Sequence, residues 1–333
     1  MKVLLYSGGI LIVRKSGIGV AYENQKRALY VNHIPFTNDV KSEYDIAQFN
    51  TIFPNSVYSA YMLKRKGKKI IYYGHSTMED FKKSFKGSDF FAPLFKKWIK
   101  FCYSLGDVII TPTEYSKMLL EGYGIQKPIY AISNGIDLNF YNRENGSRSR
   151  FRDKYEIKDN EKVIMSVGHY IERKGILDFI ELARRTPEYK FIWFGYTNLK
   201  IIPAKIKNAI RNKTENVILP GYVSNQELRD GYVGSDLFMF LTYEETEGIV
   251  LLEAMAMKIP IIIRDIPIYK NEFIHGETVY KGIRIGEFEN LTQNILNNNI
   301  PNITENAYEL VKEKEISIVG NKLKDIYKNV LLM

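Results

Sequence analysis

The chain reads as an α/β protein of two Rossmann-like domains with a cleft between them, and three observations predict it. Its 333 residues exceed the ~100 to 200 that one compact core usually organises. Short apolar runs alternate with stretches of helical periodicity, the pattern of a parallel sheet wound by helices. The alternation starts twice, at the first residues and again beyond the polar, turn-rich stretch YNRENGSRSR at 141–150. Two units joined near 141–155 are the simplest account.

The first unit opens on the apolar run Lys2 to Ser7, then a loop, then Ser16-Gly17-Ile18-Gly19 leading into the helical AYENQKRALY. Strand, glycine loop, helix is the opening of a nucleotide-type unit. Ser16 suits a helix N-cap, and Gly17 and Gly19 allow a ligand close to the backbone. Further strands are expected at 69–75, 107–113 and 128–135, separated by periodic stretches such as TEYSKMLLEGYG. In the second unit strands are expected at 162–168, 189–195, 216–223, 235–242 and 260–265, with helices at ILDFIELARRT and IVLLEAMAMK.

With 45% hydrophobic and 26% charged residues, the composition is that of an ordinary globular protein. No apolar run reaches the ~18 to 20 residues of a membrane span, and the first residues carry no cleavage-type site, so neither spanning nor secretion is expected. One cysteine, Cys102, excludes an intramolecular disulfide and a cysteine metal cluster. Charge is uneven. Residues 1–150 hold 22 Lys and Arg against 12 Asp and Glu, and residues 151–333 hold 25 against 26, so the net +9 resides in the first half. A polyanionic partner follows, nucleic acid or an anionic membrane surface. No RNP-type, helix-turn-helix or zinc pattern accompanies the charge, which disfavours nucleic acid.

Eleven basic and three acidic residues lie between 64 and 100. Within FFAPLFKKWIKFCYSLGD, residues Phe91, Leu94, Phe95, Trp98 and Phe101 recur at helical spacing with Lys96, Lys97 and Lys100 between them. A basic amphipathic helix with Trp and Phe reads as membrane-interfacial, so Lys96, Lys97, Trp98 and Lys100 are expected to meet the membrane surface.

The densest chemistry is EETEGIVLLEAMAMKIPIII at 244–263. Glu245 sits in a loop at a strand end, Gly248 and Ile249 open the following helix, and Glu253 stands about two turns into it. Carboxylates accept hydrogen bonds from vicinal sugar hydroxyls, and the free N–H groups of a helix start suit phosphate. His75 ends the run KIIYYGH, which places an imidazole at a sheet edge. Arg173 and Lys174 in VGHYIERKG stand at another strand-to-helix turn, where cations are dipole-disfavoured unless an anion joins them.

These motifs together resemble the retaining glycosyltransferases of GT-B architecture, family 4. Two glutamates eight apart followed by Ala-Met-Ala are that family's signature, and SGIG, His75, SNGID and VGHYIERKG match in order. The wording of KSGIG, GHSTMEDFKKSFKGS and RDIPIY is similar to the bacterial diglycosyldiacylglycerol synthases in particular. The resemblance implies a first domain over 1–145 facing acceptor and membrane, a donor-binding domain over 150–315, and a last helix at about 316–333 packing back on the first.

It further implies transfer of glucose or galactose from a UDP-sugar to monoglucosyldiacylglycerol, with retention and an α-linkage. The leaving phosphate itself would help deprotonate the acceptor hydroxyl. A capsule or cell-wall saccharide is the alternative acceptor. Catalytic roles fall on Glu245 and His75, and donor binding on Gly17, Arg173, Lys174, Glu245, Gly248, Ile249 and Glu253. Many relatives carry Arg directly after the first glycine of the 168–175 loop, where this chain has His169; Lys174 keeps its place and Arg173 would substitute. Glu79 and Asp80 lie in the candidate acceptor loop, whereas Asn134 and Asp137 are expected to be structural. No Asp-x-Asp stands at a strand end, so no metal or tightly bound cofactor is expected, and Arg173, Lys174 and helix N-termini would offset the diphosphate. The implied partners are UDP-sugar, glycolipid and an anionic surface, with the protein cytoplasmic and peripheral on the inner face of the cell membrane.

Overall fold

The computed structural model describes residues 1–333 and contains two wholly parallel six-stranded sheets, each wound by helices. The first holds β1 (Val3–Tyr6), β2 (Phe36–Thr37), β3 (Ile46–Phe49), β4 (Lys69–Tyr73), β5 (Val108–Thr111) and β6 (Ile129–Ala131), in the order β2-β1-β3-β4-β5-β6. The second holds β7 (Val163–Val167), β8 (Lys190–Phe194), β9 (Val217–Gly221), β10 (Leu237–Phe240), β11 (Ile261–Arg264) and β12 (Tyr280–Gly282), in the order β12-β11-β10-β7-β8-β9. The expected two-domain α/β architecture is present.

Helices cover both faces of each sheet, so the central strands are buried on both sides and read as continuous apolar runs such as Val163-Ile164-Met165. Three strands escape that signature: β2 and β12 are short edges, and β3 carries Gln48. Gln48 is fully buried because its amide donates to Gln25 Oε1 at 2.8 Å and its carbonyl accepts from Tyr327 at 2.6 Å.

Strand order reverses between β1 and β3 and between β7 and β10. In open parallel sheets such switch points leave a crevice outside the carboxyl ends of the strands, which is where ligands bind. The loops after β7 and β10 therefore open side by side.

The last helix, Ile316–Leu332, returns to the first domain. Ile316, Val319, Leu323, Tyr327 and Val330 line one stripe and share a core cluster with Ala28 and Leu29 of the helix Gly17–Val31. The helices approach closely at Gly320, where a Cβ would stand 2.5 Å from the Ala28 carbonyl oxygen. The two inter-domain connections also run together: Ile136 and Ile316 exchange backbone hydrogen bonds through Lys314 O (2.9 Å) and Ile136 O (3.0 Å). Both inter-domain connections therefore cross at one place.

Candidate active site

The chemistry gathers at the second switch point. After β7 the chain turns through the short helix Glu172–Lys174 into Gly175, at φ 80°. A Cβ there would stand 2.3 Å from the Leu241 carbonyl oxygen, so glycine lets this turn press against the end of β10. The Tyr243 N–H donates to the Arg173 carbonyl at 2.7 Å, and the Thr242 hydroxyl donates to the same oxygen at 3.2 Å. Arg173 and Lys174 are thereby held against the loop that carries Glu245.

Glu245 receives both cations. Its carboxylate is ion-paired with the Lys174 ammonium, accepts from Thr242 Oγ1 at 2.9 Å and lies 3.8 Å from Arg173 Nη1. Arg173 also crosses to the first domain, with Nη1 2.8 Å from Asp80 Oδ1 and Nε donating to Ser84 Oγ at 3.1 Å. Buried charge is tolerated only when paired, and here two cations meet two carboxylates. Burial pushes the Glu245 carboxyl up, but Lys174 and Arg173 outweigh it and hold the group below its ordinary value. Burial lowers the Lys174 ammonium, and Glu245 opposes that shift. Asp80 is raised by burial against the pull of Arg173.

The same loop is fastened across the domains. Thr113 and Ser116 hydroxyls donate to the Thr246 carbonyl at 2.9 and 3.0 Å. Glu247 Oε2 accepts from the Asn134 N–H at 3.0 Å and from Asn134 Nδ2 at 2.7 Å. Gly248, at φ 90°, then starts the helix Ile249–Ala256, whose first N–H groups have no intrahelical acceptor.

His75, at the end of β4, is buried, stacks on Tyr73 with centroids 4.7 Å apart and holds Nε2 2.9 Å from Asn50 Oδ1. Burial pushes its pKa down to about 3, so the ring is neutral near pH 7 and offers one donor and one acceptor. Glu253 belongs to a separate buried network, accepting from Tyr141 at 2.7 Å and Tyr232 at 2.9 Å. Burial raises its pKa to about 7 despite those bonds. Gly17 opens the helix Gly17–Val31 at the first switch point and is exposed, with open space around a would-be Cβ. The Ser16 side chain does not cap that helix as expected. A short helix, Ile10–Val13, precedes it, and the Ser16 hydroxyl donates to the Val13 carbonyl at 2.7 Å instead.

The family model described as glycosyl transferases group 1 matches residues 147–313, and that of glycosyltransferase family 4 matches residues 19–140. A processive diacylglycerol alpha-glucosyltransferase of Acholeplasma laidlawii is 41% identical over 332 residues, 99% of each chain. The chain belongs to the family 4 GT-B glycosyltransferases of glycolipid synthesis. An alpha-galactosylglucosyldiacylglycerol synthase of Streptococcus pneumoniae is 29% identical over 275 residues, covering 78% of this chain and 71% of its own. Among solved structures, Anabaena HepE in complex with UDP and glucose superposes with a TM-score of 0.76 at 15% identity, covering 98% of each chain.

This glycosyltransferase brings Arg173, Lys174 and Glu245 into one contact cluster and keeps Glu253, His75 and Gly17 outside it. Sequence reasoning passed over Asp80 as a ligand of Arg173, and missed Thr242, Glu247 and Asn50. The glutamate of TEG, two residues beyond Glu245, was the available signal for Glu247.

The basic segment is not one patch. Lys64 and Lys68 donate to the carbonyls of Leu105 (2.7 Å) and Tyr44 (2.6 Å), at the edge of the first sheet where strands begin, opposite His75. Lys82, Lys83 and Lys86 follow β4 on the cleft side. The helix Ser88–Ser104 carries Lys96, which sits 4.5 Å over the Tyr123 ring, with Lys97 and Lys100 exposed. Trp98 is half-buried and donates its indole N–H to Ile52 O at 3.0 Å, whereas Phe90, Phe91, Leu94 and Phe101 are the exposed apolar side chains of this helix. No helix of the protein is long and apolar enough to cross a membrane.

Proposed function

We propose that this glycosyltransferase moves a glucosyl unit from UDP-glucose to monoglucosyldiacylglycerol at an anionic membrane surface, with retention, giving an α-linked diglucosyldiacylglycerol. The observation that carries the reading is the buried Arg173, Lys174 and Glu245 cluster at the β7/β10 switch point. The 41% identical relative, named for alpha-glucosyl transfer to diacylglycerol, favours glucose over galactose.

In this reading the second domain binds the donor. Arg173 and Lys174 take the diphosphate, joined by the N–H groups at the start of the helix Ile249–Ala256, because a doubly charged leaving group needs donors fixed before it forms. Glu245 turns to the hydroxyls of the transferred hexose, and Glu253, positioned by Tyr141 and Tyr232, reaches the ribose. The acceptor hydroxyl attacks from the face that the diphosphate leaves, and its proton passes to a departing phosphate oxygen. Neutral His75 hydrogen-bonds the hexose without adding charge. Gly17 gives the first domain's helix start room beside the donor. No tightly bound cofactor enters the scheme.

The first domain, through Lys97, Lys100 and the exposed face of the helix Ser88–Ser104, would rest on the inner leaflet, where each lysine contributes about 1 kcal/mol. Mass spectrometry of vesicles containing monoglucosyldiacylglycerol, incubated with UDP-glucose or UDP-galactose, tests the assignment. Addition of one hexose from UDP-glucose supports it. Transfer to soluble capsule or wall saccharides with none to the lipid would overturn it.

A further inference from the structure

Between the short helix Met78–Phe81 and the helix Ser88–Ser104 lies an open groove of about 640 Å3. Phe81, Phe91, Leu94, Phe95, Trp98 and Phe101 line it, and Lys97 is the only polar lining residue. Its floor is built: Phe81 stacks on Phe95 with centroids 4.2 Å apart and planes 17° apart, and Trp98 is fixed by its bond to Ile52. Its outer wall is exposed, with Leu94 at 65% and Phe91 at 53%. Scattered exposed apolar residues need no explanation, but a contiguous apolar trough marks an interaction site.

Two further observations select the occupant. Lys97 lines the trough and Lys82 follows directly on Phe81 at its wall, so an anionic leaflet would bring lipid, rather than a soluble ligand, to its mouth. The trough also ends beside the donor site. Phe81 is next in sequence to Asp80, whose carboxylate is 2.8 Å from Arg173, and Ser84 in the same segment bonds Arg173 as well.

We propose that the groove binds one acyl chain of the glycolipid acceptor and so delivers its sugar headgroup past Asp80 to the donor site. The inference rests on the glycolipid reading of the function and adds to it a specific chain-binding site. Under it the chain is drawn partly out of the bilayer, and the segment 78–84 couples an occupied groove to the position of Arg173.

Each buried methylene contributes about fourfold in affinity. Monoglucosyldiacylglycerols with chains of increasing length, assayed as monomers below their micelle threshold, should show kcat/KM rising by up to about fourfold per methylene until the groove is full. Leu94→Asp and Phe91→Ser, both at exposed positions, should flatten that slope and leave UDP affinity unchanged. Transfer at every length with no slope, or an unaltered slope in both variants, would overturn the groove and leave the glycolipid reading standing. Transfer at no length would overturn both.

A second readout separates acceptor from bulk lipid. Trp98 and Trp193 are the only tryptophans, and Trp193 is fully buried in the second domain. In vesicles of fixed anionic content, a brominated chain on the glycolipid should quench Trp98. Quenching only when bromine is on the bulk phospholipid would overturn the proposal.

Discussion

Replacing Lys174 with methionine removes the ammonium and keeps a stem of similar length against the Phe240 ring, over which the ammonium sits 5.7 Å from the centroid. Glu245 would then stay buried with Thr242 and with Arg173 at 3.8 Å. Breaking a buried ion pair from one side costs about 3 to 5 kcal/mol, and the remaining partners place this case near the lower end. A loss of about 3 kcal/mol lowers the melting temperature of a domain of this size by roughly 6 to 12 °C.

The loss depends on pH. In the parent, Glu245 is held below its ordinary value, so its stabilisation is full above the carboxylate range and fades only as pH falls through that lowered value. In the variant burial dominates, the carboxyl rises above its ordinary value, and stability falls as pH climbs through about 4.5. The gap in melting temperature should therefore be small near pH 4 and widest above pH 7. Losing a charged partner of the diphosphate should also weaken UDP by roughly 30-fold or more. Adding Glu245→Gln removes the unpaired charge, so the double variant should melt like the parent yet still bind UDP weakly. Thermal melts across pH with calorimetric UDP titration separate the two effects. A gap that does not vary with pH, together with unchanged UDP affinity, would refute the reasoning.

Glu253→Gln should behave differently. The raised pKa of Glu253 means that the parent loses stability as pH rises from the ordinary carboxylate value through about 7, so the variant's melting temperature should gain on the parent's between pH 5 and 8 while its UDP affinity drops. Asp80→Asn weakens the inter-domain bond to Arg173 and should enlarge the radius of gyration of the free enzyme in small-angle scattering; an unchanged value would count against closure through that pair. Reversing Lys96, Lys97 and Lys100 to Glu should abolish sedimentation with anionic vesicles, by about 100-fold or more in partitioning, and spare UDP binding. Sedimentation equal to the parent's would make those lysines a solvated face.

The central strands and their helices were legible because burial on both faces leaves uninterrupted apolar runs, as in Val163-Ile164-Met165. Strand β3 was not, because Gln48 takes its partners from Gln25 and Tyr327, and the second lies 279 residues away. Arg173, Lys174 and Glu245 could be nominated because each stands at a strand-to-helix turn. Their mutual pairing could not, since it depends on β7 and β10 lying side by side after the chain has wound out to β9 and back. Asp80 and Asn134 carry no local sign of their partners, which stand 93 and 113 residues on. The basic run at 64–100 does not form one surface because sequence nearness hides a strand: β4 separates Lys64 and Lys68 at one end of the sheet from Lys82 at the other.

The most direct test follows the transferred carbon. UDP-glucose labelled with 13C at C1 of the glucose, incubated with the enzyme and monoglucosyldiacylglycerol vesicles, yields a lipid whose new anomeric centre is read by the one-bond carbon–proton coupling. The account predicts the label in a diglucosyldiacylglycerol with α configuration, and its loss in Lys174→Met. A β-linked product, or label found only in free glucose, would contradict it.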